Sequence, residues 1–144
     1  MSLAMPPGWV LEIELKNQPA QKLKVVEALE RFGREHHLRA SVINAVDLAL
    51  EEHLTNLMSY GFPDGREHVI KVRLAVASEV VVEVEDDGLP FDPLQLPEAD
   101  TSIPLEQRPV GGLGIHLIRK FMDQVEYETR GNRNILRMRK GLGT

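Results

Sequence analysis

The sequence predicts a single α/β domain, because two kinds of hydrophobic periodicity alternate along its 144 residues. Five short segments have the residue pattern of half-buried strands. Three longer segments repeat apolar residues every three or four positions, which is typical of amphipathic helices. The composition is 42% hydrophobic and suits one core. We therefore expect residues 1–144 to form one domain whose residues 1–8 are flexible.

The first part of the chain predicts one strand followed by two helices. Trp9 to Leu15 alternates between an apolar face and a polar face that carries two glutamates. Pro19 opens a helical pattern from about Ala20 to His36. The second helix is predicted from about Ser41 to Tyr60. The predicted core stripes are Leu23, Val26, Leu29 and Phe32 or Gly33 in the first helix, and Ile43, Val46, Leu50, Leu54 and Leu57 in the second.

Four more strands are predicted beyond the second helix. They are His68–Val76, Val80–Asp86, Glu126–Thr129 and Asn134–Lys140. Pro63-Asp64-Gly65 and Gly131-Asn132 are turn signals, and Ala77-Ser78-Glu79 is a short hairpin connection. In the last strand the apolar residues face inward, so Arg137 and Arg139 are expected on a solvated face. A docking surface for an acidic partner is the alternative.

Composition excludes several classes of function. The formal net charge of -5 argues against a nucleic-acid binder, and the absence of cysteine excludes disulfides and thiol catalysis. No apolar run is long enough to span a membrane, and the start resembles no secretory signal, so we expect a cytoplasmic protein. Residues 1–3 are either native or an expression scar. The five histidines are expected to have ordinary structural roles: His36, His37, His53, His68 and His116.

A glycine-rich stretch precedes the third helical segment. Gly111, Gly112 and Gly114 occupy three of four positions, and an apolar pattern of helical spacing continues as far as Val125. A glycine turn at the start of a helix presents backbone N–H groups at the positive end of the helix dipole, where phosphate binds. A flexible loop before a surface helix is the alternative.

Two polar residues stand beside the core stripe of the second helix. Glu52 and Asn56 are four residues apart and so share one face, where the small residues Ala45 and Ala49 are expected to leave the flank open. A general base and a metal ligand would fit this pair, because an amide oxygen suits Mg²⁺. A surface glutamate with a locally bonded asparagine is the alternative.

The segment after Val84 contains a third candidate. By strand alternation Asp86 continues the face covered by helices, whereas Asp87 is expected to point to solvent. A buried carboxylate accepts hydrogen bonds, and the amine of adenine is a suitable donor. Capping of its own turn is the alternative role for Asp86. Gly88 is expected to let a flat ligand approach.

Three ordered motifs resemble those of the GHKL (Bergerat-fold) ATPases. They are Glu52-x-x-x-Asn56, Asp86-x-Gly88-x-Pro90-Phe91-Asp92 and Gly111-Gly112-Leu113-Gly114. The Asp-x-Gly-x-Pro-Phe form and the short length resemble the RsbW-like branch, the anti-sigma-factor serine/threonine kinases. The resemblance covers Trp9 to Lys140. It implies a two-layer α+β fold with a mixed, mostly antiparallel sheet and helices on one face.

The resemblance also implies a role for each motif residue. Asp86 would bind the adenine amine, with Gly88 beside the base, and Asn56 would bind Mg²⁺. Glu52 would take the proton from a partner's serine or threonine. The phosphates would lie against Gly111, Gly112, Leu113 and Gly114, with Arg108 within reach. The proline-rich residues 92–110 would form a lid over ATP, a disordered insertion being the alternative.

Two further positions bear on the resemblance. Asn134 stands near the place where relatives have a threonine beside the base. Position 60 is tyrosine, where the family often has histidine.

The expected function is therefore an ATP- and Mg²⁺-dependent protein serine/threonine kinase. By resemblance its partners are a sigma factor and an anti-sigma-factor antagonist, and it forms a homodimer; neither nucleic acid nor membrane is an expected partner. The alternatives are a non-catalytic, nucleotide-gated binding module and an ATPase subunit of a larger machine.

Overall fold

The computed structural model describes residues 8–90 and 112–143, and for residues 112–116 the backbone alone. Within these ranges the chain forms five strands and three α-helices. In chain order they are β1 (Leu11–Lys16), α1 (Lys22–Glu35), α2 (Ala40–Tyr60), β2 (Val69–Val76), β3 (Glu79–Asp86), α3 (Gly112–Phe121), β4 (Gln124–Arg130) and β5 (Arg133–Gly141). A 3₁₀ turn, Pro19–Gln21, precedes α1.

The strands form one sheet in the order β1-β2-β3-β5-β4. Each of these pairings is antiparallel, so the predicted α/β fold with a mostly antiparallel sheet is confirmed. β5 lies between β3 and β4, although β4 precedes it in the chain. This arrangement places Asp86, at the end of β3, opposite Asn134 near the start of β5.

One face of the sheet is apolar and carries the core. Alternate residues of the three central strands are fully buried on this face: Ile70, Val72, Leu74, Val80, Val82, Val84, Leu136 and Met138. They pack with the buried residues of α1, α2 and α3 in one cluster. Full burial of one such side chain contributes about 1.5–3 kcal/mol, so this face is the main source of stability.

The buried side of α1 differs from the predicted one. Leu23 is 59% exposed, so its predicted place in the core is wrong, and Val26 is half-buried. At about 3.6 residues per turn, the segment from Leu23 to Phe32 makes about two and a half turns. The side chains of Leu23 and Phe32 therefore lie on opposite sides of the helix. The buried residues of α1 are Val25, Ala28, Leu29, Phe32 and Gly33.

The other face of the sheet carries a row of alternating charges, one on each strand, which we call the charge ladder. Its members are Glu12, Arg73, Glu83, Arg137 and Glu126, in the order of the strands across the sheet. Successive members form ion pairs with N···O distances of 2.7, 3.0, 3.0 and 2.9 Å. Opposite charges therefore face each other across the whole sheet.

The charge ladder overturns the expectation of a solvated basic strand. Arg137 is 3% exposed, because the carboxylates of Glu83 and Glu126 flank it on the neighbouring strands. The side chain of Arg139 is 11% exposed and pairs with Glu79 at 3.3 Å. Both arginines are held by acidic residues of this chain.

The third helix ends earlier than the sequence pattern suggests. α3 stops at Phe121, and Val125 belongs to β4 rather than to the helix. Ile118 and Met122 join the core. None of the helices within the described ranges is long and apolar enough to cross a membrane. The predicted lid of residues 92–110, together with Arg108 and Gly111, lies outside the described residues.

Candidate functional site

Asp86 is a buried carboxylate at the end of β3. It is 2% exposed and lies on the helix-covered face, as strand alternation predicts. Its Oδ2 accepts hydrogen bonds from the Gly88 N–H at 2.9 Å and from Asn134 Nδ2 at 3.1 Å. Asp86 therefore does cap its own turn, as the alternative prediction has it. Burial raises the pKa of Asp86, and this outweighs the lowering by the two hydrogen bonds.

Gly88 is packed against the end of α2. The Leu89 N–H donates to the Gly61 carbonyl at 2.8 Å. A Cβ at position 88 would lie 2.4 Å from that carbonyl oxygen and 2.9 Å from a ring carbon of Phe62. The sequence predicts that this glycine leaves room for a ligand. In the structure, the space beside it is instead filled by Gly61 and Phe62 of the protein itself.

Asn134 ties the segment after β3 to β5. It is buried, and its Nδ2 donates to Asp86 Oδ2, to the Gly88 carbonyl at 3.0 Å and to the Leu89 carbonyl at 3.4 Å. Residues 86–89, which we call the Asp86 loop, are therefore held from β5 as well as from the end of α2. A side chain that resemblance places near the base is thus in contact with the proposed adenine ligand Asp86.

Glu52 and Asn56 lie one turn apart on α2, and both are half-buried. Asn56 lines a cavity of about 90 Å³ together with Tyr60, Leu89 and Pro90. The cavity lies between α2 and the chain that follows Asp86, so the fold brings Asn56 close to the Asp86 loop. Glu52 lies one turn nearer the start of the helix.

The flank of α2 before Glu52 is closed. Ala45 and Ala49 are 6% and 0% exposed, so the expectation that they leave it open is wrong. α3 packs mainly on α2. These two alanines are therefore buried rather than facing an open cleft.

The glycine motif lies at the start of α3. Gly112, Leu113 and Gly114 belong to the first turn of the helix rather than to a turn before it. The first N–H groups of an α-helix have no partner within the helix and lie at the positive end of its dipole. Because α3 packs on α2, these groups belong to the same layer as Glu52 and Asn56.

A family model described as "Histidine kinase-like ATPase domain" matches residues 15–140. The chain belongs to this family. The match runs from the end of β1 to the end of β5 and includes all three motifs. The resemblance to the GHKL ATPases is therefore confirmed.

This ATPase domain is similar to one curated protein kinase and to several solved structures. Serine/threonine-protein kinase BtrW of Bordetella bronchiseptica is 28% identical over 109 residues, which cover 75% of this chain and 77% of BtrW. The RsbU and RsbW domains of Rv1364c from Mycobacterium tuberculosis have a TM-score of 0.64 at 16% identity, covering 92% of this chain and 32% of that one. A blue-light activated histidine kinase of Erythrobacter litoralis has a TM-score of 0.53 at 20% identity, with coverages of 73% and 32%.

Those two structures share the fold with this ATPase domain. This chain spans about one third of the length of each of them. The likeness therefore concerns the ATPase domain, and not the whole of either protein.

Two histidines next to the site have more specific surroundings than the sequence suggested. His53 is 4% exposed and lines the same cavity as Asn56, and burial lowers its pKa to about 4, so the ring is neutral at pH 7. His68 lies just before β2, and its Nδ1 is 2.8 Å from Asp87 Oδ1. Asp87, expected in solvent, is instead half-buried and bound. Alternation in one strand gives no signal for a contact between two separate segments.

Proposed function

We propose that this ATPase domain is a protein serine/threonine kinase of the anti-sigma-factor type. It transfers the γ-phosphate of ATP to an antagonist protein and, in the other state of its cycle, sequesters a sigma factor. The observation that carries the proposal is a buried carboxylate, Asp86, that is held by neutral donors and whose loop, through Leu89, lines the same cavity as Asn56. The name of BtrW supports the kinase class, and the likeness to the RsbW domain supports the partner class by resemblance.

Asp86 is the proposed adenine ligand. Its two hydrogen bonds within the described residues both end on Oδ2, so Oδ1 is the oxygen proposed to accept the adenine amine. Gly88, held by Asn134 and by the end of α2, lies beside the base. Fixing the loop in advance lowers the ordering cost of binding, because the acceptor is already oriented.

Asn56 is the proposed protein ligand of Mg²⁺. The described residues contain no group of three or more acidic, histidine or cysteine side chains able to hold a metal. A half-buried amide fits a metal that arrives on the nucleotide, since Mg²⁺ commonly takes one or two protein oxygens and fills its other positions with phosphate and water. When bound, Mg²⁺ would neutralise phosphate charge.

The remaining motif residues are proposed to bind the phosphates and activate the acceptor. Backbone N–H groups of Gly111, Gly112, Leu113 and Gly114 bind phosphate oxygens, and Arg108 supplies a cation. Glu52 accepts the proton of the attacking serine or threonine hydroxyl. The hydroxyl oxygen then bonds to the γ-phosphorus while the bond to the β-phosphate oxygen breaks, which releases ADP.

The test is phosphate transfer by the Glu52→Gln variant. With γ-labelled ATP and a candidate antagonist protein, transfer should fall by about 10²–10⁴-fold, because the proton acceptor is lost. ATP affinity measured by calorimetry should change little. The matched control is Glu51→Gln: Glu51 is the exposed neighbour on α2 and binds Lys22 at 2.9 Å, so transfer should stay at the parental rate.

One outcome would contradict the role of Glu52, and another would contradict the kinase assignment. Parental transfer by Glu52→Gln would remove Glu52 as the base. Antagonist binding that differs between ADP and ATP, with no labelled antagonist under any condition, would favour the nucleotide-gated binding module instead.

A further inference from the structure

His68 bridges two carboxylates from different segments. Its Nδ1 lies 2.8 Å from Asp87 Oδ1, and its Nε2 lies 2.8 Å from Asp64 Oδ2. Asp87 belongs to the Asp86 loop, whereas Asp64 belongs to the turn that follows α2. The imidazole therefore links this loop to that turn.

Both contacts are hydrogen bonds only when the ring is charged. A neutral imidazole has one N–H, so one of its two nitrogens would face a carboxylate with a lone pair. An imidazolium donates to both. The bonds to Asp87 and then Asp64 raise the pKa of His68 above its ordinary value of 6.5. The charged form is thus the one that fits the site.

Neutral contacts fix the position of the ring and its backbone. The Phe62 ring stacks on the imidazole at a centroid distance of 4.6 Å. The His68 N–H donates to Asn17 Oδ1 at 2.9 Å, just after β1. Among the described residues, the charged groups facing the ring are Asp87 and Asp64, and the backbone N–H of Arg66 donates to Asp64 at 2.9 Å. The stacking on Phe62 and the backbone bond to Asn17 therefore hold His68 in place whether or not its ring is charged.

We propose that His68 is a positioning residue for nucleotide binding, holding Asp87 and hence the Asp86 loop in the binding arrangement while its ring is charged. This inference rests on the proposed function, in which the loop binds adenine. Asp87 stands between Asp86 and Gly88, so fixing its side chain fixes the residues on either side of it. The loop then has three anchors: Asn134, the Gly61 carbonyl and His68.

The proposal predicts a pH dependence of known sign. A raised histidine pKa means that the linkage is complete below about 6.5 and is lost as the pH rises through the raised value. Affinity for ADP should therefore fall on the alkaline side. Because His68 is partly solvated, we expect a change of about 3- to 10-fold between pH 6 and pH 9.

The experiment measures the dissociation constant of ADP across this range. His68→Gln should bind weakly at every pH with a flatter profile, since glutamine does not titrate. Asp87→Asn should move the transition to lower pH, because its amide no longer stabilises the imidazolium. His37→Asn is the control: His37 is exposed and has a φ of 53°, which asparagine tolerates, so its profile should match the parent.

The outcomes separate this inference from the proposed function. If the parent protein binds no ADP at any pH, both are wrong. If it binds ADP and His68→Gln has a parallel profile of equal affinity, the inference alone is overturned. Should His68→Gln fail to fold, the profile of Asp87→Asn decides, because an unmoved transition contradicts the proposal.

Discussion

Two buried carboxylates on β3 lie in opposite surroundings. Glu83, on the charge-ladder face, is 4% exposed and lies 3.0 Å from a nitrogen of Arg73 and 3.0 Å from one of Arg137. Asp86, on the helix-covered face, is 2% exposed, and its hydrogen bonds come from a backbone N–H and an amide. Within the described residues, cations hydrogen-bond to Glu83, whereas the hydrogen bonds to Asp86 come from neutral donors.

The difference teaches which buried acid has a reason to bind a ligand. Removing a carboxylate from water costs free energy that a paired cation offsets. Neutral donors offset it less, and the pKa of Asp86 is accordingly raised by burial. A carboxylate that is buried without a hydrogen-bonded cation is a candidate for function, because its burial costs free energy. A carboxylate that is fully paired with cations is explained by the fold.

The largest effect is expected from Arg137→Met, which breaks the ladder beside Glu83. Arg137 Nε and Nη2 both bond to Glu83 Oε2, at 3.1 and 3.0 Å, and the variant leaves that carboxylate with Arg73 as its one side-chain partner among the described residues. We expect a loss of about 2–4 kcal/mol in the free energy of unfolding, measured with urea. ADP affinity of the folded protein should stay unchanged.

Arg130→Met is the control for that variant. The side chain of Arg130 is 70% exposed and pairs with Glu128 at 2.9 Å, so its loss should cost less than about 1 kcal/mol. Equal losses in the free energy of unfolding for the two variants would mean that burial does not strengthen the ion pairs of the charge ladder.

Asp86→Asn should have the opposite effect: it should lower the affinity for ADP and leave the free energy of unfolding intact. Folding raises the pKa of Asp86 above its ordinary value of 3.8, so the free energy of unfolding of the protein falls as the pH rises above that value. At pH 7 the charge of Asp86 therefore lowers the stability of the fold. The variant should be as stable as the parent or more stable. ADP affinity should fall by about 30-fold, since a charged acceptor of the adenine amine is lost.

Asp47→Asn is the matched control for Asp86→Asn. Asp47 also has a pKa raised by burial, but it lies on α2 away from the Asp86 loop. Its substitution should leave ADP affinity unchanged. Parental ADP affinity in Asp86→Asn would break the contrast drawn between the two acids of β3.

Much of this contrast was predictable, because burial on one face imposes a period of two on a strand. That period put Asp86 on the covered face, and the same reasoning placed Arg137 on the other face. It wrongly made Arg137 solvated. Whether a side chain on the outer face is buried depends on which strands flank it. The position of β5 between β3 and β4 cannot be predicted from the residue pattern of any one of these strands.

The contacts between separate segments were not predictable for the same reason. His68 with Asp87 and Gly88 with Gly61 each join residues whose closeness follows only from the assembled fold. The error at Leu23 has a local origin: a strict spacing of three drifts around a helix. The family, by contrast, was predicted correctly from the order of the three motifs, because that order does not depend on the register of the strands.

The smallest effect is expected from Gly88→Ala, which separates two reasons for this glycine. If the missing side chain serves the contact with Gly61, the added Cβ, 2.4 Å from that carbonyl oxygen, should lower the free energy of unfolding by about 1–2 kcal/mol. ADP affinity should fall with it, because the displaced loop carries Asp86. Gly8→Ala, whose Cβ meets nothing within 4 Å, should change neither quantity. Weaker binding with parental stability would instead assign the glycine to the ligand alone, and would place Gly88 with Asp86 among the residues kept for function.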